Sequence, residues 1–203
     1  MPKPTANALA NTRRTVQSYE AYARQYDTLV DAERPPHIQE ALQRLVHCLP
    51  PGGSVLEIGS GPGRDADFVE ALGAVVRRSD AAQAFLHLMA ERGKAADLLN
   101  VITDELGGPY DGVFAMGVLI YVDREQIDAV LRKIHAALKP GGAFLVAMRE
   151  GEGETDGDWH TVCWTGERFA ARLAAAGLSV AWQARSVGGD GNDWVTFLAR
   201  RAP

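Results

Sequence analysis

Residues 55–65 read VLEIGSGPGRD, an apolar run that meets three glycines at alternate positions before a polar, helix-compatible stretch. That pattern predicts a buried strand running into a turn too tight for most side chains, then a helix. A strand that hands over to a helix in this way needs a crossover before its neighbour, so the opening unit predicts a parallel sheet covered by helices.

The rest of the chain repeats the alternation. A helix over Asp65–Leu72 stops at Gly73, a strand follows at Ala74–Arg77, and a helix over Ala82–Arg92 stops at Gly93. Left-handed glycine is the usual end of a helix. Lys94–Val101 contains a third strand, and Tyr110–Met116 is a fourth. Asp123, with Gln126 in capping-box spacing, opens a helix whose stripe is Ile127, Val130, Leu131, Ile134 and Leu138. Lys139–Gly142 breaks it, and Ala143–Met148 is the fifth strand. Thr165 caps a last helix that ends at Gly177. Strands Ser179–Arg185 and Trp194–Arg200 then flank the turn Gly188–Asn192. The prediction is an α/β, Rossmann-like, doubly wound sheet of seven mostly parallel strands with an antiparallel C-terminal hairpin.

Upstream, residues 1–14 are polar and contain proline, which predicts a flexible terminus. Residues 15–34 carry tyrosines and alanines at helical spacing, and Pro35-Pro36 opens a helix with Ile38, Leu42, Leu45, Val46 and Leu49 on one face. Residues 15–203 are read as a single domain.

Composition removes several classes of function. A net charge of −5 disfavours a phosphate backbone as partner, so no nucleic acid is expected. The two cysteines, Cys48 and Cys163, form no CxxC pair, which predicts reduced thiols and no metal site. The N-terminus has no apolar leader core and no run approaches about 20 apolar residues, so a cytoplasmic protein without a membrane anchor is expected.

The glycine turn gives the first chemical clue. Its spacing is GxGxG, and the position where a dinucleotide-binding turn would place its third glycine holds Arg64. The loop suits a nucleoside without a pyrophosphate. The longer string VLEIGSGPGRD resembles motif I of the class I S-adenosylmethionine-dependent methyltransferases. Other stretches resemble that family in the same order: VVRRSDAA around Asp80, Asp97, YDGVFAMGVLIYV, LKPGGAFLVAM and the closing hairpin.

The resemblance spans about Tyr19–Arg201 and implies S-adenosylmethionine as cofactor. It implies that the Gly59, Ser60, Gly61 and Gly63 loop borders the methionine and the sugar edge, and that Glu57 holds the cationic amino group. It further implies that Asp80 takes the ribose hydroxyls and Asp97, beside Leu98, the adenine amino group. Met116 and Gly117 would lie near the sulfonium, and Tyr19 and Tyr26 belong to an N-terminal arm that closes over the cofactor as a lid.

No cap domain interrupts the strands, so the acceptor pocket is expected from the arm, Val118–Asp123 and Arg149–Trp164. The aromatics of the last piece suit a flat small-molecule acceptor. His160 in that piece is the candidate base, Tyr121 a residue that orients the acceptor, and His37, which starts the helix opened by Pro35-Pro36, stays open as an alternative base. The D/N-P-P-Y/F signature of nucleobase amino-methyltransferases is absent after strand four, which reads Ala115-Met116-Gly117-Val118, and no acidic cluster suggests a metal-dependent enzyme. The expected function is methyl transfer to oxygen or nitrogen of a small molecule, by a monomer or homodimer. A nicotinamide-dependent oxidoreductase and a non-catalytic nucleoside-binding module stay open.

Overall fold

The computed structural model describes residues 4–29 and 34–203. A long helix α1 (Ala6–Leu29) and α2 (Pro36–His47) precede the alternating unit β1 (Ser54–Ile58), α3 (Arg64–Ala71), β2 (Val75–Asp80), α4 (Gln83–Glu91) and β3 (Asp97–Leu98). Then come β4 (Tyr110–Met116), a 3-10 turn at Leu119–Tyr121, α5 (Arg124–Ala137) and β5 (Leu138–Arg149). A small hairpin of β6 (Glu154–Thr155) and β7 (Thr161–Val162), α6 (Gly166–Ala175), and the pair β8 (Leu178–Val187) and β9 (Asp193–Arg201) complete the order.

The main sheet has seven strands in the order β3-β2-β1-β4-β5-β9-β8. The pairs among β3, β2, β1, β4 and β5 are parallel, and β9 runs antiparallel to both β5 and β8. The predicted architecture is therefore present. Strand order reverses direction between β1 and β4, which puts the open crevice of a doubly wound sheet at the carboxyl ends of those two strands.

Alternation in the central strands explains the layers. Along β4 and β5, Val113, Ala115, Phe144 and Val146 face α5 and α6, where Ile127, Leu131, Phe169 and Leu173 are buried with them. Phe114, Ala143 and Leu145 face the other way and join Leu42 and Leu45 of α2. A third, smaller cluster packs α1 on α4 through Ala23, Phe85 and Met89. Two buried faces are why these strands read as nearly continuous apolar runs.

Several expectations need correction. The terminus read as flexible through residue 14 is helical from Ala6, and Ala8 and Asn11 are buried. Residues 1–3 of that segment and 30–33 of the arm lie outside the described residues. Asp123 precedes α5 but its side chain caps nothing there. Its Oδ1 accepts from Asn11 Nδ2 at 2.9 Å instead. β5 begins at Leu138, ahead of the proline and glycines read as a break, because Leu138 pairs with Tyr110 across an irregularity in the ladder. Proline is tolerated at such a place. Thr165 does cap α6, its Oγ1 accepting from Arg168 N at 3.3 Å.

Candidate functional site

The crevice is built by the glycine turn after β1 and the short connection after β4. Gly59 takes φ +69°, and a Cβ there would lie 2.4 Å from Val118 Cγ2, so the two connections touch where the strand order reverses. Only glycine permits that approach. Ser60 stitches the turn to β2: its N–H donates to Ser79 O at 2.8 Å and its Oγ accepts from Ser79 N at 3.1 Å. Gly61 leaves open space above it, bounded by the Tyr26 ring.

Two buried carboxyls sit under this turn. Asp80, the last residue of β2, accepts from Gly61 N at 2.8 Å and Ala82 N at 2.9 Å. Burial pushes its carboxyl up to about 6 against the pull of those amides. Glu57 on β1 is buried more deeply. Burial and then the nearby Asp65 push it up to about 8, partly opposed by a hydrogen bond from Ser60 and by Arg78. Among the described residues its Oε2 has no hydrogen-bond partner. An isolated buried carboxylate is costly, so Glu57 is held ready for a cationic neighbour.

Over the crevice lies the tyrosine-bearing half of α1. Tyr19 packs at ring distances of 5.7 Å from Phe85, 5.7 Å from Tyr121 and 6.0 Å from Tyr26. The Tyr19 and Tyr121 hydroxyls share a hydrogen bond of 2.6 Å. Burial raises all three phenols, Tyr26 to about 12, so they stay protonated at neutral pH. They can donate hydrogen bonds but are poor bases.

Two cavities meet at this point. The smaller, about 120 Å³, is lined by Gly59, Gly61, Asp80, Ala82, Phe85 and residues 99–102 after β3. The larger, about 590 Å³, is lined by the start of α2, the ends of β4 and β5 and the tip of the β8–β9 hairpin. Tyr19, Tyr26, Met116, Gly117 and Tyr121 belong to both, and so form the wall between them.

Residues 56–144, from β1 into β5, match the family model of a methyltransferase domain. Over that stretch, less than half of the chain, it is similar to methyltransferase domains. The chain is 30% identical over 115 residues to hemagglutinin 1 of Eikenella corrodens, a match that takes in 54% of the chain and 37% of that relative. The chain thus spans well under half of that relative's length. In structure it is similar to the 1,6-didemethyltoxoflavin-N1-methyltransferase of Burkholderia thailandensis, solved with 1,6-didemethyltoxoflavin and S-adenosylhomocysteine bound. The TM-score is 0.81 at 20% identity, over 100% of this chain and 94% of the other. The N-methyltransferase NodS of Bradyrhizobium japonicum, solved with S-adenosylhomocysteine, gives 0.76 at 17% identity, over 94% and 100%.

Within the structure, the residues named from sequence divide into three groups. Gly59, Gly61, Asp80, Tyr19, Tyr26, Met116, Gly117 and Tyr121 line one or both cavities. Glu57, Ser60 and Gly63 lie beneath the lining and shape it. Asp97 and Leu98 are away from it: Asp97 is tied to Arg77 Nε at 2.6 Å and Leu98 is exposed, while the chain reaches the smaller cavity only from Leu99.

His160 also lies elsewhere. It is buried between carboxylates, its Nε2 2.7 Å from Asp123 Oδ1 and its Nδ1 3.0 Å from Asp156 Oδ1, and it lines neither cavity. The same two carboxylates hold Asn11 and Arg14 of α1, at 2.9 and 2.6 Å. His160 therefore fastens the arm, and the histidine that does line the larger cavity is His37.

The expected wall over Arg149–Trp164 reduces to Arg149 alone. Trp159 packs on the arm at 5.8 Å from Tyr19, Trp164 is buried against Phe169, and Glu150 is bound to Arg185. The hairpin residues Asp190 and Trp194, missed from sequence, take that place. The signal was present: β9 antiparallel to β5 must set the Gly188–Asn192 turn beside the carboxyl end of β5.

Proposed function

We propose that the protein transfers a methyl group from S-adenosylmethionine to a nucleophilic atom of a small molecule, with the cofactor in the smaller cavity and the acceptor in the larger. The observation that carries this reading is the shared wall. A methyl passing in line from a sulfonium must leave one compartment and enter the other through a short gap, and Met116, Gly117 and the three tyrosines border both.

The residues fit the cofactor. The orphaned Oε2 of Glu57, close beneath the glycine turn, suits the ammonium of the methionine part, directly or through water. Asp80 has lone pairs left for ribose hydroxyls beside Gly61. The cofactor supplies an electrophilic methyl and takes back the electron pair as a neutral thioether. The chain's own work is to orient the acceptor and exclude water.

Tyr19 and Tyr121 supply protonated hydroxyls at the gap, so they position the acceptor and remove no proton from it. A protonated acceptor would lose its proton to His37, which has the suitable chemistry on that wall. The net charge of −5 supports a small molecule over a nucleic acid.

Calorimetric titration with S-adenosylhomocysteine tests the first half. Binding in the micromolar range, weakened at least tenfold by Asp80→Ala, is expected, and absence of binding would overturn the reading. Transfer of labelled methyl to members of a phenol, amine and carboxylate panel tests the second half.

A further inference from the structure

Arg149 closes β5 at the carboxyl end of the sheet and lines the larger cavity. Its guanidinium lies 5.6 Å from the centre of the Trp194 ring, and that ring comes within 3.4 Å of where a Cβ on Gly117 would sit. An indole plane thus runs from the methyl gap to a fixed cation. A flat acceptor laid on such a surface would put a peripheral group at Arg149.

The guanidinium is only partly used. Its Nη2 donates to Asp190 Oδ2 at 2.7 Å, whereas its Nε, shielded from solvent, has no acceptor among the described residues. Nε and one Nη form the edge of a guanidinium that binds a carboxylate through two parallel hydrogen bonds. Asp190 fills half of that edge. By contrast Arg34, on the same wall, spends its Nε within the protein, on Asp65 at 2.8 Å. Asp190 itself sits in a turn with Gly188, Gly189 and Gly191, its side chain 44% exposed, so moving it aside exposes no core.

We infer that Arg149 is the specificity-determining anchor for a carboxylate carried by a planar acceptor, and that Asp190 stands in for that carboxylate until the acceptor arrives. The inference rests on the larger cavity being the acceptor site. The exchange is one carboxylate for another on a single guanidinium, so no charge is left unpaired beside the indole while the acceptor sits there.

The test is calorimetry on the full chain saturated with S-adenosylhomocysteine, titrated with 4-hydroxybenzoate, its neutral isostere 4-hydroxybenzamide and the cation tyramine. The benzoate should bind at least tenfold more tightly than the benzamide. Arg149→Met should erase that preference, Arg149→Lys should keep part of it, and Asp190→Asn should tighten the benzoate severalfold while leaving the benzamide unchanged. Equal affinities, no binding of the benzoate, preference for tyramine, or a preference that survives Arg149→Met would each overturn the inference. The affinity of Arg149→Met for S-adenosylhomocysteine separates the two readings. If it is unchanged, any loss belongs to the anchor. Failure of the wild-type chain to bind S-adenosylhomocysteine would take down the proposed function as well.

Discussion

Burial holds the Glu57 carboxyl up at about 8, against 4.5 in an unfolded chain, and the sign of its effect follows from that order. The folded state binds the proton more tightly, so Glu57 costs no stability below 4.5, and stability falls as the pH rises from there towards 8. Glu57→Gln removes the charge but keeps the shape. The melting temperature of the ligand-free variant should overtake that of the wild type progressively between pH 4.5 and 8. The same substitution should weaken S-adenosylhomocysteine at least tenfold. A variant that gained nothing with pH, measured by thermal unfolding, would contradict the buried, unpaired state of Oε2.

His160 differs in its surroundings, with Nδ1 hydrogen-bonded to Asp156 and Nε2 at ion-pair distance from Asp123. His160→Ala should cost about 1–3 kcal/mol in denaturant unfolding, by removing the buried ring that sits against the Asp123 carboxylate, while the turnover of cofactor-saturated enzyme stays within a few-fold. A collapse in turnover at unchanged stability would restore it as a base.

At the scale of elements, α1 is held by contacts that no local pattern announces. Ala82 precedes α4 with no side chain able to cap it, and the cap comes from the arm: Glu20 accepts from Gln83 N at 2.5 Å and Ala84 N at 2.8 Å. A carboxylate at a helix N-terminus is favoured by the aligned peptide dipoles. Glu20→Gln should therefore loosen two helices together, costing about 1 kcal/mol, with faster amide exchange in the first turn of α4 and along α1. If only α1 responds, the cap is not shared.

This arm also marks where sequence reasoning stopped. The strands and helices of the sheet were legible because apolar periodicity and glycine stops are local, and the glycine turn with Glu57 and Asp80 was legible for the same reason. The first turns of α1 were not. Their polar residues show no apolar stripe, and Asn11 and Arg14 find partners in Asp123 and Asp156, more than a hundred residues away. His160 was misplaced by the same blindness, since the carboxylate against its Nε2, Asp123, lies on another element. Asp97 opens a strand two residues long whose side chains are exposed, and the chain turns inward at Leu99.

For the molecule as a whole, the closed arm and the ligand compete for one space. The smaller cavity holds about 120 Å³, below the roughly 300 Å³ at which ligand pockets begin, so the proposed cofactor site requires Tyr19 and Tyr26 to withdraw before a nucleoside enters. S-adenosylhomocysteine at a hundred times its dissociation constant should stabilise the fold by about 2.7 kcal/mol. Amide exchange along α1 should slow on binding, and exchange that stays the same would mean the arm never engages the ligand. The antiparallel run of β9 has a different kind of consequence. It brings the connection between the last two strands to the carboxyl end of β5, with β4 and β5 between it and the glycine turn of β1. Doubling the length of such a connection costs only about 0.6 kcal/mol of closure entropy. Turns of different length could be transplanted into residues 188–192 to retune which acceptors are methylated, leaving the affinity for the methyl donor as the unchanged control.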